Sequence, residues 1–92
     1  MMEIRWSPEA ADDLEQIGRR IAQNNPSAAG KTVKTLYDGI TSLRKFPNMG
    51  RVGRLENSRE LIFRNLPYIV VYRVSAEIIE ISRIYHAAQD WP

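Results

Sequence analysis

The sequence predicts an α+β domain: an N-terminal strand, an α-helical hairpin and a three-stranded antiparallel meander, forming one small sheet with helices on one face. Three observations carry this expectation. Apolar residues recur at helical spacing between residues 8 and 45, the apolar period changes to two from Arg59 onward, and Asn/Pro/Gly clusters interrupt the pattern between those regions. A length of 92 residues fits a single domain over 1–92 with a small core.

Met2, Ile4 and Trp6 alternate with Glu3 and Arg5, which predicts a short strand over 2–6. Ser7-Pro8 reads as an N-cap followed by the first helical residue, because the hydroxyl accepts an orphan N–H and proline has none to lose. Glu9, Asp12 and Asp13 place negative charge at the positive end of the helix dipole. Ala10, Leu14, Ile17 and Ile21 then define a helix over about 8–23, with Gly18 permitting close packing. Asn24-Asn25-Pro26 ends it and starts another. Ala29, Val33, Leu36, Ile40 and Leu43 define that second helix, over about 26–45. So short a break makes the pair an antiparallel hairpin.

Phe46-Pro47-Asn48-Met49-Gly50 is a cluster of helix breakers. The loop over 48–58 holds Gly50, Arg51, Gly53 and Arg54, and reads either as a connector or as a site where glycine N–H groups and arginines take phosphate or carboxylate. Leu61 and Phe63 alternate with Glu60, Ile62 and Arg64. Tyr68–Val74 is strongly β-prone, and Ile78 to Tyr85 completes three strands in series. The first strand must join this sheet, since it is not stable alone.

Two helices cover one sheet face only. Period-two alternation assigns Leu61, Phe63, Tyr68, Val70, Tyr72, Val74, Ile79 and Ile81 to the covered face, with Arg83 on that side by parity, where its charge must either escape at the sheet rim or pair with an acidic helix residue. It leaves Ile62, Arg64, Ile69, Val71, Arg73, Ile78, Glu80, Ser82, Ile84 and His86 open. An apolar face dotted with positive charge reads as a binding surface for another chain.

Charge is unevenly spread along the chain. Residues 1–30 carry three basic and five acidic groups, residues 31–73 nine and three, and residues 74–92 one and three. A basic middle third fits an anionic partner, nucleic acid or an acidic polypeptide, or else a solvated surface. With no cysteine and one histidine, a disulfide framework, a thiolate nucleophile and a multi-histidine metal site are excluded, and neither metal nor cofactor is expected. No apolar run approaches 18 residues and the first residues lack a signal-peptide apolar stretch, so no membrane span and a cytoplasmic location are expected. His86 is suited to act as acid or base near neutrality, although a lone histidine at a strand end is more often structural.

Ile4-Arg5-Trp6-Ser7-Pro8-Glu9-Ala10, Phe46-Pro47-Asn48-Met49-Gly50-Arg51, Tyr68-Ile69-Val70-Val71-Tyr72-Arg73-Val74 and Ile81-Ser82-Arg83-Ile84-Tyr85-His86-Ala87-Ala88-Gln89-Asp90-Trp91, in this order, resemble the ParE/RelE superfamily of toxins from bacterial type II toxin–antitoxin systems. The resemblance covers nearly the whole chain and implies a cognate antitoxin in a hetero-oligomer, for which Ile62, Arg64, Ile69, Val71, Arg73 and Ile84 of the open face are the expected contacts. It implies one of two targets. ParE-like members inhibit DNA gyrase; RelE-like members are metal-independent endoribonucleases that cut mRNA on the ribosome. The ribonucleases often carry an arginine two residues before the Val-Tyr pair of the third strand; here that position is Ile69. An isoleucine cannot stabilise transition-state charge, a contribution of about 3–4 kcal/mol for a typical oxyanion donor. The Asp90 ending is also ParE-like. Gyrase is therefore the expected target, with Arg51, Arg54, Asp90 and Trp91 as contacts and Trp91 as an aromatic anchor. The alternative is ribonuclease activity on ribosome-bound mRNA, with Arg64, Arg73, Arg83 and His86 as the candidate catalytic residues.

Overall fold

The computed structural model of the chain describes residues 1–91. The elements are β1 (Glu3–Trp6), α1 (Pro8–Ala22), α2 (Pro26–Ser42), β2 (Arg51–Val52), β3 (Arg59–Ile62), β4 (Tyr68–Val74) and β5 (Ile78–His86). Both helices start as their sequences dictate. The Ser7 Oγ accepts from the Ala10 N–H at 3.0 Å and donates to the Ser82 carbonyl at 2.8 Å, tying the start of α1 to β5. The Asn25 Oδ1 accepts from the Ala28 N–H at 3.1 Å, and Pro26 follows at the first helical position. A Cβ on Gly18 would lie 3.2 Å from Val33, so glycine lets α1 and α2 approach closely.

The sheet has five strands in the order β1-β5-β4-β3-β2. β1 runs parallel to β5, and the other neighbours are antiparallel. The expected fold class is the one observed, with one strand more than the sequence pattern shows. The extra strand, Arg51–Val52, pairs with Glu60 and Arg59 and comes from the loop read as irregular. Two residues are too few to show a period. The hairpin closes through Asn57, whose φ of 58° lies in the left-handed region that asparagine tolerates.

α1 and α2 cover one sheet face. Leu36, Ile40 and Leu43 meet Leu61, Val70, Tyr72, Ile79, Ile81 and Ile84 there in one apolar cluster. Tyr72 is fully buried in it, and its hydroxyl finds partners at the end of α2. It donates to the Pro47 carbonyl at 2.8 Å and accepts from the Gly50 N–H at 2.9 Å. A Cβ on Gly50 would fall 2.7 Å from that hydroxyl, so only glycine fits.

β5 breaks the expected alternation. Tyr72 pairs with Ile81 but Val71 pairs with Arg83, leaving Ser82 as an extra, bulged residue. The bulge reverses parity beyond it. Ile84 joins the helix-side core at 4% exposure rather than the open face, and His86 pairs with Tyr68 on that same side. Arg83 moves the other way, to the face away from the helices, together with Tyr85.

Candidate functional site

The sheet face away from the helices is not open. Ile69 and Val71 point to it as expected, yet they are only 6% and 0% exposed. The C-terminal segment and the β2–β3 hairpin cover them, with Trp91 and Leu55 packed on top. Trp91 stacks on Tyr85 at 4.4 Å between ring centroids, and the Arg54 guanidinium lies 4.0 Å above the Trp91 ring. On the other side of Tyr85 the Arg83 guanidinium sits 4.9 Å from its centroid. Cation, aromatic, aromatic and cation thus form one continuous stack.

A carboxylate fixes each end of that stack. At one end Asp13 of α1 takes the Arg83 Nε at 2.7 Å and Nη2 at 3.1 Å. Its Oδ2 also accepts from the Ile84 N–H at 2.9 Å, satisfying β5 beyond the last residue that β1 pairs. The Asp13 hydrogen bonds push the Arg83 guanidinium further toward its charged form. At the other end lies Glu60, 2% exposed, whose Oε1 accepts from Arg51 Nε and Nη2 at 3.0 and 2.8 Å. Its Oε2 accepts from the Arg54 N–H at 3.0 Å and Nε at 3.3 Å. Burial pushes this carboxyl up, but the Arg54 N–H and the two guanidinium groups outweigh it and hold the group below its ordinary value.

Arg51 and Arg54 therefore do bind a carboxylate, but it is the chain's own. Trp91, expected as an exposed anchor, is 8% exposed and serves as a cover for Ile69 and Val71. Asp90 is exposed beside it. Of the residues expected at a partner surface, Ile62 at 46% and Arg64 remain exposed, Arg73 is half-buried, and Ile69, Val71 and Ile84 are buried. The spacing Ile79-x-Ile81-x-x-Ile84 was the sequence signal for the bulge. No pattern announced Glu60 or Asp13 as hubs.

The candidate ribonuclease residues do not converge. Arg73 donates to the Glu56 carbonyl and the Ser82 hydroxyl, while Arg83 is engaged by Asp13. Both lie on the face away from the helices. His86 lies on the opposite face, edge-on to Tyr68 at 5.4 Å, with its Nδ1 accepting from the Ala88 N–H at 3.0 Å. Arg64 is exposed in the β3–β4 turn. Among the described residues, no three His, Cys, Asp or Glu side chains gather as a ligand set for a metal ion. Among the described residues, no helix is long and apolar enough to cross a membrane.

A second exposed apolar region lies at the β1 end of the sheet. Trp6 and Tyr37 of α2 stack at 6.3 Å, and with Met2, Ile4 and Ile40 they line a groove that ends at Arg44. β1 has β5 on one side only. The N–H groups of Glu3 and Ser7 point to β5, bonding the carbonyls of Glu77 and Ile81 at 2.9 Å, so by ladder alternation Ile4 and Trp6 turn their backbone groups outward.

The helical hairpin over one face of a five-stranded sheet is an α+β fold that this chain shares with solved ParDE and RelBE structures. Residues 4–91 match the model of the ParE toxin family of type II toxin–antitoxin (parDE) systems, and the chain belongs to that family. It is 38% identical to the protein Y4kP of Sinorhizobium fredii, over 97% of this chain and 92% of that one. It is 34% identical to the toxin RelE2 of Caulobacter vibrioides, over 97% and 99%. A structure of the chromosomal ParDE system of P. aeruginosa superposes with a TM-score of 0.86 at 28% identity, covering 94% of this chain and 96% of that one. The intact E. coli RelBE complex shares the fold at 12% identity, with a TM-score of 0.73 over 97% and 100% of the two chains.

Proposed function

We propose that this type II toxin arrests growth by inhibiting DNA gyrase, working by contact rather than by cutting RNA. The observation that carries this reading is the divergence of the ribonuclease candidates. Arg73 and Arg83 lie on one sheet face and His86 on the other. Cleavage by 2′-hydroxyl attack needs a proton acceptor and a transition-state cation at the same phosphate. Ile69, where such a cation would stand, is sealed under Trp91. Family membership and the likeness to a ParDE system support the same choice.

The partner that restrains the toxin is a cognate antitoxin, held in a cytoplasmic hetero-oligomer. Its place is the β1 edge and the Trp6–Tyr37 groove rather than the covered face. There an extended segment finds free backbone groups and an apolar trough together, the requirement for strand addition. The segment folds as it binds.

The test induces the chain in cells and, in parallel, measures supercoiling by purified gyrase and cleavage of mRNA on translating ribosomes. Inhibited supercoiling with intact mRNA is expected. His86→Ala should keep most of the toxicity. Cleaved ribosome-bound mRNA, abolished by His86→Ala, would replace this reading with the RelE-like one. For the antitoxin, the adjacent gene's product should co-purify with the chain, and Ile4→Pro should release it without lowering gyrase inhibition.

A further inference from the structure

The turn after α2 displays two large apolar side chains on a rigid mount. Phe46 is 60% exposed and Met49 49% exposed, and with Pro47 and Asn48 they line a shallow cleft. The backbone beneath them is tied down at most of its polar groups. The Phe46 N–H donates to the Ser42 carbonyl and the Met49 N–H to the Phe46 carbonyl, both at 3.1 Å. The Pro47 carbonyl and the Gly50 N–H are held by the buried Tyr72 hydroxyl. The Arg59 Nη1 donates to the carbonyls of Gly50 at 2.7 Å and Asn48 at 3.3 Å. A core tyrosine and a strand arginine thus fix the pose of two side chains that bury little in this chain.

We infer that Phe46 and Met49 are the anchors by which this toxin grips a folded, acidic surface of its protein target. This rests on the reading of the chain as a toxin that acts by binding a protein. Rigid presentation lowers the ordering cost of association, and large apolar anchors dominate interface energies. The chemistry of the partner follows from the surroundings. Arg44 and Lys45 stand exposed just before the turn and Arg59 sits beneath it, whereas Arg51 and Arg54 are held by Glu60 on the opposite sheet face. Carboxylates around an apolar pocket complement this surface. A second copy of the chain would bring the same cations face to face across a two-fold axis. The phosphates of a duplex gain nothing from Phe46 and Met49 at the centre, and its stacked bases are closed to them, which separates a protein partner from duplex DNA. The partner is a folded surface rather than an extended segment, because the carbonyls of Phe46, Pro47, Asn48 and Gly50 are already taken and leave no continuous ladder for an added strand. The β1 edge, with its outward backbone groups, is the opposite case.

The test uses Phe46→Ser/Met49→Ser together and Lys45→Glu separately, each at wild-type soluble level in cells. Unchanged melting temperatures are expected, since the altered side chains are exposed. The double variant should need roughly thirtyfold more protein to arrest growth and to inhibit purified gyrase on relaxed plasmid, the scale of losing a strong anchor. Lys45→Glu should weaken inhibition several-fold at low salt, with the difference fading as salt rises. Capture of the adjacent gene's antitoxin should stay at wild-type strength in both. Growth arrest by the double variant equal to wild type overturns the inference, whichever target is at work. A loss of antitoxin capture, of affinity for a 30-bp DNA duplex, or of self-association that matches the loss of arrest overturns it equally, by assigning the turn to another partner. Wild-type protein that arrests growth but leaves gyrase untouched refutes the gyrase reading alone; the anchors are then judged by arrest.

Discussion

Glu60→Gln removes one charge from the point where β2, β3 and the C-terminal cover are joined. The carboxylate accepts four hydrogen bonds, at 2.8, 3.0, 3.0 and 3.3 Å, from Arg51 and Arg54. Glutamine keeps one acceptor oxygen and turns the other into an NH2 group that meets donors. Single charged hydrogen bonds contribute about 1.5–3 kcal/mol each when well formed. The side chains of Arg51 and Arg54 are 55% and 45% exposed, so water takes up much of what they lose, and no isolated charge stays buried. A net loss of about 2–3 kcal/mol follows, well short of the sum of four bonds. For a domain of this size that lowers the melting temperature by about 10–20 °C. The assay is thermal unfolding by circular dichroism at a series of pH values. The folded-state carboxyl titrates below its ordinary 4.5, so its contribution is complete above that pH and is lost as pH falls through the folded value. The wild-type advantage should therefore be constant from pH 7 down to about 5 and shrink below 4.5. In a Trp6→Phe background, Trp91 fluorescence should also shift to the red as Arg54 comes loose. Equal melting temperatures at pH 7, or a gap that does not change with acid, would refute the assignment of Glu60 as the tie.

Two further outcomes follow from the packing. Tyr72→Phe strips the Gly50 N–H of its buried acceptor and should cost about 1–3 kcal/mol in urea unfolding. Burial raises the Tyr72 hydroxyl above 10.0 against the opposing pull of Gly50 and Arg59. The stability it confers is thus present below pH 10 and lost as pH rises through the folded value, a limb the phenylalanine variant should lack. Trp91→Ala uncovers Ile69 and Val71 and should cost about 2–3 kcal/mol, less than a central core tryptophan because one ring face meets the half-exposed Arg54 guanidinium rather than apolar side chains. Increased binding of an apolar dye would accompany it; unchanged dye binding and stability would show that the cover is not held by this ring.

Much of the fold was legible because it rests on local chemistry. Ser7-Pro8 and Asn25-Pro26 announce helix starts through groups that act within three residues of themselves. The apolar stripes of α1 and α2 and the alternation in β3 and β4 are periodic because one face of each element is buried. The same logic failed at Ser82, where one extra residue sent Ile84 and His86 to one face and Arg83 to the other. Alternation carries no memory across a bulge, and the three-residue step from Ile81 to Ile84 was its only trace.

The sequence alone determined the order of the elements, the helical hairpin, the basic middle third and the family resemblance, all properties of neighbouring residues or of motif order. The tertiary structure decided which surfaces are free. Trp91 looked like an exposed anchor because chain position says nothing of folding back, and Ile69 and Val71 looked open because a sequence cannot show what covers a sheet. Glu60 read only as one side of an alternation and Asp13 only as a helix-start charge, since a carboxylate's role depends on guanidinium groups that reach it in space: Arg83 stands 70 residues from Asp13. Burial and ion pairing are set by contacts distant in sequence, and those exist only once the chain has folded.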